Sequence, residues 1–160
     1  MFAHIRKADI DDQLVVHRQL KDCLRELSEF GVVEENYAYF HDYWKKSTRW
    51  PYVIEVDGEP IGFIFINQWS PSGRGTDYAV AEFYIAPRWR GQRHGTDAAH
   101  QVLQRHPGQW ELAFFNGNVR AQTFWPAAIV KAGAESYERV DGPDITILRF
   151  VIVAHGNSSK

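Results

Sequence analysis

A chain of 160 residues that is 44% hydrophobic and 24% charged has a soluble globular composition and is long enough to bury a full core. Its formal net charge of −2 disfavours general polyanion binding, so no nucleic-acid partner is expected. The single cysteine, Cys23, excludes an internal disulfide framework and a cysteine metal cluster. The opening stretch MFAHIRKADIDD has no apolar signal-peptide core and no run approaches a membrane span, so a cytoplasmic α/β protein without a membrane partner is expected.

Residues 2–6 read as a short first strand, and Asp11 or Asp12 can cap the helix that follows. There Val16, Leu20, Cys23, Leu24, Leu27 and Phe30 recur at helical spacing and describe one buried face. Tyr37, Phe40 and Trp44 repeat that spacing in a shorter second helix. Tyr52 to Val56, the turn Asp57-Gly58 and Ile61 to Ile66 form a hairpin. Residues 69–77, WSPSGRGTD, are a loop by composition. A strand from Tyr78 to Ile85, a helix from Thr96 to Arg105 and a strand from Trp110 to Phe115 come next. A helix from about Val119 to Ala132 ends at Gly133, and strands near 136–140 and 145–153 complete the pattern. No repeat or linker suggests a second domain, so one domain over 1–153 is expected, with a disordered tail at 154–160.

The stretch from Ala81 to Leu103, AEFYIAPRWRGQRHGTDAAHQVL, places a Gly- and Arg-rich turn between a strand and a helix N-terminus. Backbone N–H groups converge at such a turn, the helix dipole is positive, and glycine allows close approach, so it is suited to phosphate. The turn Arg90, Gly91, Gln92, Arg93, His94, Gly95 and the later run NVRAQTFW, with Asn118, Ala121, Phe124 and Trp125, together resemble the acyl-CoA-binding core of the GNAT superfamily of N-acetyltransferases. The loop pattern of that family is Arg/Gln-x-x-Gly-x-Gly/Ala, and its second run is Asn-x-x-Ala-x-x-Phe/Leu-Tyr. Two positions depart from it: Arg93 replaces a glycine and Trp125 a tyrosine. If position 93 needs left-handed φ, arginine costs roughly 1–2 kcal/mol there. A guanidinium–phosphate bond contributes about 1.5–3 kcal/mol in return.

The resemblance implies a mixed, mostly antiparallel sheet of about six to seven strands flanked by about four helices. It implies acetyl-CoA as co-substrate, with backbone N–H groups from Gly91 to Thr96 and the side chains of Arg90 and Arg93 holding the pyrophosphate. The pantetheine arm is expected beside the strand edge carrying Phe83 and Ile85, like an added strand, with the Ile85 N–H as the oxyanion donor. Asn118 fixes that arm from the other side or serves as a helix N-cap, or does both.

Strand alternation puts Val80, Glu82 and Tyr84 on one face and Ala81, Phe83 and Ile85 on the other. A carboxylate mid-strand in YAVAEFYI is costly unless it faces water, a partner or a substrate, which makes Glu82 the candidate general base. The alternative is a Glu that binds a neighbouring Arg or positions the acceptor. Tyr84, Tyr137 or water is the candidate acid, since an indole at Trp125 is no proton source. Cys23 reads as core rather than as an acyl-accepting nucleophile.

The seven histidines are scattered without a metal-binding pair, so no metal is expected, and His94 is either a cation in the phosphate loop or a solvent-facing loop residue. Tyr37, Phe40, Tyr43 and Trp44 with Glu34 and Glu35 either line an amine pocket or form core. The 69–77 loop, with Arg74, can border the same cleft and be mobile. The acceptor stays open among small amines, amino acids, antibiotics, and protein N-termini or lysines, and a homodimer is compatible with the family. The leading expectation is transfer of an acetyl group to a primary amine in a ternary complex. The alternatives are a non-catalytic acyl-CoA-binding or sensing module on the same fold, and a phosphate-binding α/β domain such as a nucleotide binder.

Overall fold

The computed structural model describes residues 2–154, so most of the expected tail, residues 155–160, lies outside the described residues. The helices are α1 (Gln13–Leu27), α2 (Asp42–Lys45), α3 (His94–Arg105) and α4 (Val119–Lys131). The strands are β1 (His4–Lys7), β2 (Trp50–Val56), β3 (Glu59–Asn67), β4 (Tyr78–Ile85), β5 (Gly108–Phe115), β6 (Ser136–Asp141) and β7 (Ile145–Ile152). They form one seven-stranded sheet in the order β1-β2-β3-β4-β5-β7-β6, antiparallel throughout except between β4 and β5. Asp57 and Gly58 both take positive φ (50° and 82°), the conformation that a two-residue hairpin turn between β2 and β3 requires.

Two cores sandwich the sheet. Ile54, Ile64, Trp110 and Leu148 belong to the core that α3 and α4 cover, while Val53, Phe63 and Phe65 pack with Val16, Leu20 and Cys23 of α1. Helix α1 is entered through a 3-10 turn capped by Asp9 rather than Asp11, with Asp12 completing a capping box, and Phe30 falls beyond the helix end, half exposed. The expected second helix shrinks to Asp42–Lys45. Tyr37, Phe40 and Tyr43 recur every three residues because successive turns there close three-residue hydrogen bonds. Their rings collect around Phe65, with Tyr43 stacked on it at 4.0 Å.

The parallel pair β4–β5 is short. It joins Tyr78 to Trp110, Ala79 to Glu111 and Val80 to Leu112, and beyond these the strands part. On its other side β4 carries a bulge, because Phe65 pairs with Glu82 but Ile66 with Val80, leaving Ala81 extra. Strict alternation therefore fails: Val80 joins Phe83 and Ile85 on the α3/α4 face, and Ala81 joins Tyr84 on the α1 face.

The 69–77 loop is tied down rather than loose. Glu111, 0% exposed in mid-β5, accepts hydrogen bonds from the Ser72 N–H (3.0 Å) and the hydroxyls of Ser70 (2.9 Å) and Ser72 (2.8 Å), and pairs with Arg149 of β7. Removing one member of a buried pair strands the other charge. Arg149→Met is therefore expected to cost about 3–5 kcal/mol in urea unfolding. The double variant with Glu111→Leu should recover part of that loss.

Candidate active site

The unpaired half of β4 lies at the fork. The Ala86 N–H bonds to the Ile61 carbonyl (2.8 Å), so alternation along the antiparallel pair with β3 turns the N–H groups of Phe83 and Ile85 away from β3 and into the fork. The Ile85 carbonyl is already taken, accepting from Arg90 Nε at 2.7 Å.

Beside this edge stands the N-terminus of α3. Its N-cap is Arg93, which adopts the left-handed conformation (φ 72°, ψ 4°) without a side-chain cap bond, and Gly91 also has positive φ (75°). Among the described residues no backbone carbonyl accepts from the N–H groups of Gly91 to Thr96. Of these residues Gly91, Arg93, Gly95 and Thr96 border a cleft of about 480 Å³, together with Arg90, with Phe83 and Ile85 on β4 and with Phe124 and Trp125 on α4. A Cβ on Gly91 would meet open space, and one on Gly95 would stand 3.4 Å from the Phe124 ring, so both glycines let a ligand approach the backbone.

The cations divide into two kinds. The Arg90 guanidinium is held by Glu26 of α1 (2.9 and 3.1 Å) and by Ile85, over the Tyr84 ring, so it ties the loop to α1 and β4 rather than reaching out to phosphate. Arg93 and Arg120 are exposed, make no ion pair among the described residues, and both line the cleft. Arg120 was not among the expected site residues. A charge in the first turn of a helix reads as a solvated face, and only the neighbourhood of Asn118 could have singled it out.

Other expectations are corrected. The Gln92 side chain donates back to the Arg88 carbonyl (3.1 Å) and does not line the cleft, leaving its N–H as its contribution. The His94 ring is neither solvent-facing nor in the cleft: it is 2% exposed against Trp89, with both ring nitrogens unpartnered. Tyr137 sits 44% exposed on β6 and lines neither cleft, and the 69–77 loop borders neither. Asn118 caps α4 by accepting from the Ala121 N–H (3.2 Å), and it also lines both clefts.

A second cleft of about 440 Å³ opens on the α1 side of the fork. It meets the first at Leu27, Phe83, Asn118, Ala121 and Trp125, and Glu82 lines it close to that junction. Desolvation pushes the Glu82 carboxyl up to about 7, against the nearby Tyr37 hydroxyl, which favours the ionised form. Tyr37 and Glu34 line this cleft, whereas Phe40, Tyr43 and Trp44 belong to the α1-side core. Glu35 is exposed and outside it. Cys23 is buried, and desolvation followed by the nearby Glu82 charge raises its pKa, which keeps the thiol protonated.

Residues 17–127 match the acetyltransferase (GNAT) family. A comparison with curated protein sequences finds no match. Among solved structures, an acetyltransferase from Thermus thermophilus superposes with a TM-score of 0.68 at 15% identity, over 93% of this chain and 96% of that one. AAC(6')-Ib, solved with acetyl-CoA and, in another complex, with ribostamycin and coenzyme A, gives 0.66 at 16% identity over 100% and 99%. The PaiA N-acetyltransferase of Thermoplasma acidophilum, in complex with coenzyme A, gives 0.60 at 16% over 92% and 98%. These likenesses show the fold.

Arg93 carries a backbone strain that glycine would not. Arg93→Gly is therefore expected to raise the unfolding free energy of the ligand-free protein by about 1 kcal/mol, measured by urea denaturation. Arg93→Ala should give no such gain, because alanine keeps the Cβ.

Proposed function

The chain belongs to the GNAT acetyltransferase family, and from that premise we propose that it moves an acetyl group from acetyl-CoA to a primary amine by direct attack in a ternary complex. The observation that carries this reading is the meeting of three features at one fork. They are N–H groups at the start of α3 unclaimed among the described residues, an unpaired β4 edge, and the half-buried Glu82 carboxyl beside the junction of two clefts.

The residues fit the co-substrate. N–H groups from Gly91 to Thr96 with Arg93 and Arg120 suit a pyrophosphate, Gly91 and Gly95 leave room for it, and the N–H groups of Phe83 and Ile85 suit the amides and carbonyl of an extended arm. Acetyl-CoA supplies the activated acetyl group. Glu82 receives the proton of the incoming ammonium, directly or through a water, because a carboxyl near 7 exchanges protons readily at neutral pH. Tyr84 lines the first cleft with its pKa raised, chiefly by burial, and so holds the proton that the departing group requires. The protonated Cys23 is a poor nucleophile, which favours direct attack over an acyl-enzyme.

The test is a thermal-shift titration with acetyl-CoA, CoA, ATP and NAD. Ligand at one hundred times its dissociation constant stabilises the native state by about 2.7 kcal/mol. Stabilisation by the CoA pair alone is expected, followed by thiol release when an amine is added. A preference for ATP or NAD would overturn the assignment, and CoA binding without thiol release across an amine panel would favour a binding module.

Glu82 gives a second test through pH. Its folded pKa of about 7 lies above the unfolded value of 4.5, so across that window the native state keeps a proton that the unfolded chain releases. Stability is lost as pH rises through the window, and the penalty is complete above it. Glu82→Gln should accordingly be more stable than wild type by about 2–3 kcal/mol at pH 8, with the difference vanishing near pH 4. Turnover of the wild type should rise with pH along a limb centred near 7, and Glu82→Gln should lose that limb while binding CoA with nearly unchanged affinity.

A further inference from the structure

The second cleft has a composition that selects among amines. Its walls are built from Val33, Val80, Phe83, Leu112, Phe115 and Ile145, and among the described residues neither Lys nor Arg lines it. All of these except Leu112 remain partly exposed, so the concave surface is apolar area still in contact with water. Carboxylates are few: Glu82 near the junction and Glu34, an exposed residue at the rim. Asn118, Tyr37 and the indole of Trp125 are the other polar side chains on the lining, and the Asn118 Oδ1 is already engaged in capping α4.

Such a cleft can neutralise one ammonium, and the faces of Phe83 and Phe115 can favour it further. A second or third ammonium would find no further carboxylate beyond exposed Glu34, and a set of hydroxyls would find few partners beyond Asn118, Tyr37 and the Trp125 indole, so most of their lost hydration would go unreplaced. We propose, resting on the acetyltransferase reading above, that the acceptor is a primary monoamine whose one ammonium ends a hydroxyl-poor aliphatic or aryl-alkyl body. The body lies along the Val80–Leu112 floor toward Ile145, with the nitrogen at Glu82.

The experiment measures kcat/KM by thiol release at saturating acetyl-CoA for butylamine, hexylamine, octylamine, 2-phenylethylamine, spermidine, a lysine-bearing peptide and ribostamycin. Each methylene buried is expected to raise kcat/KM about fourfold from butylamine to hexylamine. 2-Phenylethylamine should exceed spermidine and ribostamycin by about a hundredfold, the equivalent of two unsupported polar groups. Equal or better turnover of spermidine, the peptide or ribostamycin overturns the monoamine assignment while leaving the acetyltransferase reading intact.

A calorimetric titration of 2-phenylethylamine into the CoA-loaded protein reads the same cleft without chemistry. Binding that weakens at least tenfold in Phe115→Asp, with CoA affinity unchanged, supports the assignment. No binding to the CoA-loaded wild type overturns it. The acetyltransferase reading itself fails separately, if the CoA pair does not stabilise the protein.

Discussion

Strands β4 and β5 exchange hydrogen bonds over three residue pairs and then diverge, and the rest of the site follows from that parting. Parallel neighbours ordinarily pair along their length, because an unpaired backbone N–H away from water costs about as much as a lost hydrogen bond. Here the entry of α4, capped by Asn118 and carrying Ala121 and Trp125, fills the space at the fork where the two clefts meet. The N–H groups of Phe83 and Ile85 are left as an open edge, and the one carbonyl that Arg90 reaches is satisfied. An extended ligand with its own amides can complete the missing pairing. The bulge at Ala81 acts on the other edge of the same strand, turning Glu82 toward Tyr37 and the α1 side.

The loop that follows β4 concentrates costs which the bare protein does not recover. Arg93 sits in left-handed backbone, the buried His94 ring finds no partner, and the N–H groups that open α3 are unclaimed. Strain and unmet hydrogen bonds at one loop are expected where the missing partner is a ligand. Arg90 makes such a loop tenable. By binding Glu26, 64 positions earlier, and the Ile85 carbonyl, it fixes the approach of the chain to the helix, while Arg93 and Arg120 make no ion pair among the described residues.

Much of this arrangement is legible in the sequence. The β2–β3 hairpin reads directly because Asp57-Gly58 can adopt positive φ, and β4 because five of its eight residues, Tyr78, Val80, Phe83, Tyr84 and Ile85, are aromatic or β-branched. The loop reads because glycines beside cations at a helix start have few other uses. The bulge does not read: nothing in YAVAEFYI breaks alternation, and the extra residue appears only through pairing with β3. The role of Arg90 is hidden for a related reason, since its partner lies on a distant helix. The second helix is over-read because aromatic residues spaced for packing on Phe65 imitate helical periodicity. Arg74 shows the opposite error: its loop looks free in sequence, but a buried carboxylate on β5 holds the neighbouring Ser70 and Ser72.

Glu82 links recognition to chemistry. The apolar surroundings that lift its pKa toward 7 are also those that would receive an apolar acceptor body, so the two properties are not independent. An ammonium arriving beside Glu82 first favours the ionised carboxylate, as any near positive charge does. As the body of the acceptor displaces water from the cleft, the ion pair loses solvation, and the neutral pair of amine and carboxylic acid gains relative to it. On the proposed mechanism, entry of the acceptor would thus move the proton in the direction that attack requires. In a polycation the remaining ammoniums would favour the ionised Glu82 and, as like charges, would also ease loss of a proton from the reacting nitrogen, so what such an acceptor lacks in this cleft is counter-charge for its other ammoniums. On the monoamine proposal, the scarcity of carboxylates in this cleft would act against such acceptors at binding.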